Sequence, residues 1–185
     1  TWTHIGLEKS FFIPKVEVDP KNPDIVLVAA EGKLYDNEMD CERGLYKSTD
    51  GGKTWTNIFA SVAKDRGVAD FVIDPRNSNV IVTAAYKTYR RAWTYYDRWP
   101  GNNLYKTTDG GKSWKLLKNG LPTDTELGRT GLAIYEKNPS IIYARLDQGV
   151  TIGFNERDGA ANFRAAGGGG RGGGGGGGFG GAAMG

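Results

Sequence analysis

The sequence predicts an all-β fold built from repeated, four-stranded antiparallel sheets. Segments 44–55 and 103–114 are closely similar and lie 59 residues apart. A second similar pair, 18–30 and 73–85, precedes them, and a third copy of that pattern starts at Tyr135. Within each copy, short apolar runs alternate with turn-forming residues, and none of them has a convincing helical period. A fixed repeat of this kind indicates one supersecondary unit used several times.

The first full copy divides into four strands. Residues 19–24 separate the first two, because proline fixes φ there and Asp and Asn side chains form turn hydrogen bonds. Asp50-Gly51-Gly52 separates the last two, because glycine supplies the positive φ of a tight hairpin. Four antiparallel strands per repeat make one blade of a β-propeller. The expected strands are Ile13 to Val18, Ile25 to Ala30, Gly44 to Ser48 and Thr54 to about Phe59.

The repeat phase predicts the boundaries of a partial propeller of about two and a half blades. Thr1-Trp2-Thr3 has the shape of the residues around Trp55, so Trp2, Trp55 and Trp114 are expected at equivalent points of successive blades. The chain is therefore expected to begin and end inside repeats. The predicted divisions are a blade remnant at 1–7, blades at 8–59 and 60–118, a partial blade at 119–146, and a Gly-rich insertion or tail at 147–185.

Composition argues against several functions. The net charge is +3 with acids and bases interspersed, so no basic stripe for nucleic acid stands out. A single cysteine, Cys41, excludes an internal disulfide framework and a site of several thiolates. His4 is the only histidine, which excludes a His-rich zinc site. No apolar run approaches the roughly 20 residues of a membrane helix, and we expect neither a membrane span nor a cofactor.

Two segments, 48–55 and 107–114, follow the pattern Ser/Thr-x-Asp-x-Gly-x-Thr/Ser-Trp. They resemble Asp boxes, the bacterial neuraminidase repeats found in sialidases, sortilin-type receptors, xyloglucanase-type glycoside hydrolases and many bacterial exported propellers. The Asp-Pro-x-Asn-Pro turn makes the sortilin-like and xyloglucanase-like propellers the most similar. The resemblance implies a secreted, cell-surface or periplasmic bacterial protein. Its Asp-box residues are Ser48, Asp50, Gly52, Trp55, Thr107, Asp109, Gly111 and Trp114.

The two Asp-box aspartates are predicted to be structural. The carboxylates of Asp50 and Asp109 are expected to accept backbone N–H bonds across their own hairpins. Trp55 and Trp114 are expected to pack between blades. We therefore do not interpret the two aspartates as a catalytic acid pair.

Strand parity assigns the loops to two faces of the propeller. The turns between strands one and two and between strands three and four share one face. The loops between strands two and three share the other face with the connectors between blades. That second face, here called the long-loop face, holds residues 31–43, residues 86–102 and everything after Leu146. Function is expected there, because binding residues concentrate on loops held by a rigid scaffold.

Residues 86–102 concentrate aromatic rings and guanidinium groups. Flat rings stack on sugars or proline-rich peptides, and arginine binds carboxylates. The alternative is a loop that folds over its neighbours and forms a small satellite core. The predicted ligand-binding residues are Tyr89, Arg90, Arg91, Trp93, Tyr95, Tyr96 and Trp99.

Two further groups of charged residues are weaker candidates. The acidic loop with Glu31, Asp36, Glu38, Asp40 and Glu42 fits no twelve-residue calcium loop, so we interpret it as solvated and predict no metal site. A glycosidase needs two carboxylates about 5 Å or about 6.5 to 9.5 Å apart, and the sequence does not identify such a pair. The charged residues expected near the propeller axis are Lys15, Asp65, Arg66, Asp70, Glu126 and Arg129.

These patterns favour a non-catalytic binding or assembly segment of an exported propeller. Such a segment would recognise protein or glycan through the long-loop face, and its other partners would be the remaining blades or further copies of the chain. One alternative is a fragment of a polysaccharide-cleaving glycoside hydrolase, which requires a carboxylate pair flanking a cleft lined by Trp93 or Trp99. The other alternative is a structural subunit of a surface fibre.

Overall fold

The computed structural model describes residues 1–33, 41–122 and 126–147. These residues form strands, turns and irregular segments without a helix, so none of them forms a helix long and apolar enough to cross a membrane. The Gly-rich segment beyond Asp147 lies outside the described residues. The strands are β1 (Lys15–Val18), β2 (Val26–Ala30), β3 (Gly44–Ser48), β4 (Thr56–Asn57), β5 (Gly67–Asp74), β6 (Asn77–Tyr86), β7 (Tyr89–Arg91), β8 (Thr94–Tyr96), β9 (Leu104–Thr107), β10 (Lys115–Leu116), β11 (Gly131–Ile134) and β12 (Ile142–Arg145).

The strands assemble into successive antiparallel blades. The first blade has the order β1-β2-β3-β4, and the second has the order β10-β9-β6-β5. Strands β11 and β12 pair as the first two strands of a third blade. Strands β7 and β8 form a separate hairpin between β6 and β9. The predicted all-β, partial-propeller fold with four-stranded antiparallel blades is confirmed.

The first strands of the three blades lie side by side, as they must around a propeller axis. Lys15 on β1 places its Nζ 3.2 Å from Asp70 Oδ1 on β5. The other carboxylate oxygen of Asp70 accepts the backbone N–H of Leu132 on β11 at 2.8 Å. One carboxylate therefore joins all three inner strands, and two of the predicted axial residues, Lys15 and Asp70, meet.

The hydrophobic core lies between the first and second blades. Phe59, in the connector that follows β4, is wholly buried. Its ring contacts Tyr105 and Trp114 of the second blade edge-on, with centroid distances of 5.5 and 5.2 Å. Leu27 and Leu45 of the first blade belong to the same cluster. The first blade therefore buries its apolar face against the second rather than within itself.

The two Asp-Gly-Gly hairpins, residues 48–55 and 107–114, contain the same hydrogen bonds. In the first hairpin the Ser48 hydroxyl donates to Asp50 at 2.7 Å and accepts the Gly52 N–H at 2.8 Å. The Asp50 carboxylate also accepts the Thr54 N–H at 2.9 Å and the Thr54 hydroxyl at 2.7 Å. The predicted structural role of these aspartates is visible in this geometry. The second hairpin repeats the bonds through Thr107, Asp109, Gly111 and Ser113.

Each hairpin tryptophan is anchored to the preceding repeat. Trp114 Nε1 donates to the carbonyl of Ile58, and Trp55 Nε1 donates to the carbonyl of Ile5, both at 2.8 Å. Ile5 and Ile58 lie three residues after Trp2 and Trp55, so the two indoles bind equivalent positions of the sequence repeat. Trp2 itself is fully exposed. The reason is that no earlier blade lies against Trp2 among the described residues.

Three of the predicted strands are longer than the observed ones, the second by Ile25 alone. The first begins at Lys15 rather than Ile13, because Pro14 has no N–H to donate to a ladder. The fourth covers Thr56–Asn57 rather than Thr54 to Phe59. Thr54 instead donates both its N–H and its hydroxyl to Asp50. At the other end, Phe59 turns into the interblade core.

The hairpin hydrogen bonds predict a specific dependence of stability on pH. Bonds from the Thr54 hydroxyl and N–H and from the Ser48 hydroxyl lower the pKa of Asp50 from 3.8 to about 2. Because the folded-state pKa is the lower one, the stabilisation is complete above pH 3.8 and is lost as the pH falls towards 2. We expect Asp50→Asn to be less stable than the wild type at neutral pH, with a difference that shrinks across this interval.

Urea unfolding at a series of pH values between 6 and 2 measures this difference. The control is Glu136→Gln, which changes an exposed carboxylate in the β11–β12 turn. The difference in unfolding free energy between this variant and the wild type should not show the decrease expected for Asp50→Asn. A difference between wild type and Asp50→Asn that stays constant down to pH 2 would contradict the assigned role of Asp50.

Candidate functional site

The long-loop face begins where the second strand of each blade ends. The strand registers align Ala29, Ala84 and Arg145, each opposite the equivalent residue of an inner strand. Two positions further along, the equivalent residues are Glu31, Tyr86 and Asp147. All three side chains contact neighbouring loops, so these positions form the rim of the face.

Asn102 holds the loop of residues 87–102 in place. Its Nδ2 donates to the carbonyls of Lys87, Asp97 and Leu127 at 3.2, 3.2 and 2.9 Å. Its Oδ1 accepts the backbone N–H of Lys87 at 2.9 Å. The side chain is almost fully buried. One amide therefore joins both ends of the loop to the segment that enters the third blade.

Two of the predicted ligand-binding aromatics are packing residues. The rings of Tyr96 and Trp99 meet edge-on with centroids 5.1 Å apart, and both are half-buried. The Tyr96 hydroxyl donates to Glu126 at 3.0 Å. Lys87 Nζ lies 4.6 Å from the Trp99 ring centroid. The backbone of Trp99 pairs with that of Leu127 in an antiparallel β-bridge. The satellite-core interpretation is therefore the better one for Tyr96 and Trp99.

Two other predicted aromatics point outward. Trp93, between β7 and β8, is 64% exposed, and Tyr95 on β8 is 50% exposed. The Tyr95 hydroxyl lies 3.3 Å from that of Tyr86, and the Arg90 guanidinium lies 5.9 Å from the Tyr95 ring centroid. The β7–β8 hairpin thus holds flat aromatic surface next to a cation, a combination suited to stacking on a sugar ring.

The remaining predicted residues, Tyr89, Arg90 and Arg91, all lie on β7. Arg90 is exposed on β7 and Tyr89 is half-buried on the same strand. Arg91 ends this strand, but its side chain lies outside what the structure describes. The structure therefore brings Arg90 and Tyr95 together on the hairpin, with Trp93 between its two strands, and packs Tyr96 of β8 against Trp99.

A buried carboxylate lies at the rim of the face. The side chain of Glu31 is only 3% exposed, and its Oε1 lies 2.7 Å from Arg129 Nη2. Burial raises the pKa of Glu31, and the Arg129 charge opposes that shift. The Arg129 guanidinium also lies 5.7 Å from the Tyr86 ring centroid. Burial, together with the hydrogen bond to Tyr95, raises the pKa of Tyr86, so its hydroxyl remains protonated at neutral pH.

A second carboxylate of the rim is accessible. Asp147 Oδ1 lies 3.2 Å from Arg98 Nη2, and the Asp147 side chain is 43% exposed. Arg98 Nε and Trp99 Nε1 are buried and have no hydrogen-bond partner in the part of the chain that the structure describes. The Asp147 carbonyl accepts the Gly128 N–H at 2.9 Å, which holds the residues after β12 against the segment that leads into β11. Asp147 is thus a fixed, partly solvated carboxylate next to the loop of residues 87–102, here called the aromatic loop.

Several of these residues were not among the site residues predicted from the sequence. Asp147 was assigned to the Gly-rich segment, although the repeat phase aligns it with Glu31 and Tyr86 and could have identified it. Asn102 had no such signal, because its role depends on three carbonyls from distant positions.

Of the other predicted axial residues, Asp65 contacts both Arg66 and Lys87.

The described part of the acidic loop does not gather into a metal site. Glu31 pairs with Arg129, and Glu42 accepts the Lys9 N–H at 2.9 Å. Asp36, Glu38 and Asp40 lie outside the described residues. Within residues 1–33, 41–122 and 126–147, no three His, Cys, Asp or Glu side chains are grouped closely enough to hold a metal ion.

The chain is similar in sequence to two fungal enzymes. It is 32% identical over 120 residues to a xyloglucanase of Hypocrea jecorina, a match that covers 61% of this chain and 12% of that protein. It is 36% identical over 77 residues to a probable oligoxyloglucan-reducing end-specific xyloglucanase of Neosartorya fischeri, which covers 40% of this chain and 8% of that protein. The chain thus spans about an eighth or less of these relatives. No protein-family profile matches it.

Among solved structures, similar chains include an ancestral GH74 enzyme and the GH74 enzyme of Niastella koreensis. The first is 20% identical with a TM-score of 0.48, and the second is 23% identical with a TM-score of 0.46. Each match covers 71% of this chain and 16% of the other.

Proposed function

We propose that this chain is a segment of an exported, xyloglucanase-like glycoside hydrolase propeller and that its long-loop face binds the polysaccharide. The observation that carries the proposal is the 32% identity over 120 residues to a xyloglucanase. It favours the glycoside hydrolase alternative over a purely non-catalytic binding segment. In this proposal the two Asp-Gly-Gly hairpins are Asp boxes, which hold the blades together.

The exposed aromatics of the β7–β8 hairpin supply the binding surface. Trp93 and Tyr95 offer flat rings on which the apolar faces of glucosyl or xylosyl residues can stack. The Arg90 guanidinium beside Tyr95 adds hydrogen-bond donors for sugar hydroxyl groups. A neutral polysaccharide matches this mixture of aromatic and polar groups, because binding it does not require a strongly charged surface.

Glycoside hydrolysis needs two carboxylates that flank the scissile bond. The rim of the long-loop face offers Asp147, which is held by Arg98, and Glu126, which accepts a hydrogen bond from Tyr96. Both contact residues of the aromatic loop. A contribution of this segment to hydrolysis would therefore involve Asp147 and Glu126, with the other blades completing the cleft.

Removing the exposed rings tests the binding surface. We expect Trp93→Ala with Tyr95→Ala to weaken binding of xyloglucan oligosaccharides about tenfold, since about 1.4 kcal/mol of lost stacking corresponds to that factor. Titration calorimetry or affinity electrophoresis in xyloglucan gels measures the change.

The control is Tyr135→Ala, which removes a 46%-exposed aromatic ring from the turn on the opposite face. It should bind like the wild type. Equal binding by the double variant and the wild type would reject the hairpin as the glycan surface. A comparable loss with Tyr135→Ala would reject the assignment to the long-loop face.

A further inference from the structure

Tyr86 lies where parts of all three blades meet. It is the last residue of β6, is only 3% exposed, and pairs with Gly67 in the β5–β6 ladder. A Cβ on Gly67 would lie 2.4 Å from the Cα atom of Glu31, so the glycine allows the end of the first blade to approach this closely. The Arg129 guanidinium, from the segment that leads into β11, lies 5.7 Å from the Tyr86 ring centroid. Tyr86 is therefore enclosed by groups from both neighbouring blades.

A buried ion pair holds the guanidinium against this ring. Arg129 Nη2 lies 2.7 Å from Oε1 of Glu31, whose side chain is 3% exposed. Separating the pair would leave a carboxylate buried without its counter-charge, which is costly. The backbone of Glu31 is packed against Gly67, so Arg129 stays over the Tyr86 ring, and the cation and the ring attract each other. The Tyr86 ring thus has a fixed orientation.

The hydroxyl of Tyr86 reaches from this junction to the β7–β8 hairpin. It lies 3.3 Å from the hydroxyl of Tyr95 on β8 and forms a hydrogen bond with it. Burial and this bond raise the pKa of Tyr86, so its hydroxyl keeps its proton at neutral pH. A buried hydroxyl needs an acceptor, whereas Tyr95 is 50% exposed and can direct its own proton outward. The arrangement therefore favours Tyr86 as the donor and Tyr95 as the acceptor.

This bond connects an exposed ring of the hairpin to the blade. Successive residues of a strand point to opposite faces, so Tyr96 packs against Trp99 while Tyr95 faces the other way. Within the hairpin, Tyr95 lies opposite Arg90 in the β7–β8 ladder, and the Arg90 guanidinium is 5.9 Å from its ring centroid. Contacts within the hairpin do not orient the Tyr95 ring relative to the blade. The hydrogen bond from Tyr86 does.

We propose that Tyr86 is a positioning residue for glycan binding, an inference that rests on the proposed function of the long-loop face. Tyr86 does not touch the sugar. Its hydroxyl donates to Tyr95, which fixes the plane of the Tyr95 ring for stacking and leaves the Tyr95 proton to donate to an oxygen atom of a neutral polysaccharide. Because the ring and the proton are oriented before the ligand arrives, binding loses less conformational entropy.

A double-mutant cycle tests the positioning role. Tyr86→Phe removes only the hydroxyl and should weaken binding of xyloglucan oligosaccharides about threefold, within the range of one neutral hydrogen bond. Tyr95→Phe should weaken binding at least as much. In the Tyr95→Phe background, Tyr86→Phe should have no further effect, because it acts through the Tyr95 hydroxyl. Equal binding by Tyr86→Phe and the wild type, or the same loss in both backgrounds, would overturn the proposal, since a merely structural role does not depend on that hydroxyl.

The control is Tyr105→Phe, which removes a hydroxyl from a tyrosine of the interblade core. The Tyr105 ring contacts Phe59, and the variant should bind glycan like the wild type. Circular dichroism and unfolding curves establish that each variant is folded. A comparable loss of binding in Tyr105→Phe would show that any lost tyrosine hydroxyl weakens binding, and would contradict the specific role of Tyr86.

A spectroscopic measurement without glycan separates this inference from the proposed function. In protein labelled with carbon-13 at the tyrosine Cζ atoms, the Tyr95 resonance is identified by its absence from Tyr95→Phe. It should move in Tyr86→Phe and stay in place in Tyr105→Phe, because Cζ carries the hydroxyl group. The Tyr86 resonance should likewise move in Tyr95→Phe. Unmoved resonances would overturn the proposal. A wild type that binds no xyloglucan while both resonances move would refute the proposed function and confirm the bond between the two tyrosines.

Discussion

Replacing Phe59 with alanine is expected to lower the free energy of unfolding by about 4 kcal/mol, within the usual range for deleting a buried phenylalanine ring. Phe59 is wholly buried and contacts Tyr105 and Trp114 edge-on. It belongs to the connector of the first blade but packs with the second. Its removal leaves a cavity at the junction that joins the two sheets.

Equilibrium urea unfolding monitored by circular dichroism and tryptophan fluorescence measures this loss. Phe11→Ala is the matched control, because that ring is 58% exposed and its deletion should change stability by less than about 1 kcal/mol. The fluorescence of Trp114 should shift to longer wavelength in Phe59→Ala as its ring becomes hydrated. Similar stability losses in the two variants would show that the interblade core does not hold the blades together.

The second large effect is expected at Asn102, where alanine should lower the free energy of unfolding by about 3 kcal/mol. The substitution removes donors to the carbonyls of Lys87, Asp97 and Leu127 and the acceptor for the Lys87 N–H. Several of these backbone groups then stay buried without partners, which costs more than the loss of an exposed hydrogen bond.

Asn102→Ala should also weaken glycan binding, because the loop that displays Trp93 and Tyr95 is no longer held at its base. Calorimetric titration with xyloglucan oligosaccharides and urea unfolding should therefore both change. The exposed Asn119 provides the control, since Asn119→Ala should leave both quantities near their wild-type values. A destabilised Asn102→Ala that binds glycan normally would separate loop anchoring from binding and contradict this coupling.

The repeat made most of the blade architecture predictable. Strand β3 is observed at the predicted Gly44–Ser48, and β2 differs from the prediction only at Ile25. Both are short strands bounded by turn residues whose chemistry is local. The predicted fourth strand was too long, because Thr54 is bound by Asp50 and Phe59 by the next blade. Strand ends that depend on such partners cannot be derived from propensity.

The candidate site was only partly predictable. Aromatic enrichment located the loop of residues 86–102, yet the sequence did not separate the exposed Trp93 and Tyr95 from the packed Tyr96 and Trp99. That separation depends on the β7–β8 register and on the contact of Trp99 with Leu127, which comes from the entrance to the third blade. A partner so distant along the chain leaves no periodic signal in the loop.

The sequence by itself determined the blade repeat and its phase, because proline, glycine and Asx turns act on the residues next to them. It also determined the internal bonding of the two Asp-Gly-Gly hairpins, whose donors and acceptors lie within a few residues of each other. Tertiary structure alone decided the rest. The Glu31–Arg129 pair, the bond from Asn102 to Leu127 and the contact of Phe59 with Trp114 each join groups from different repeats. Only the packing of blade against blade brings such groups within contact distance.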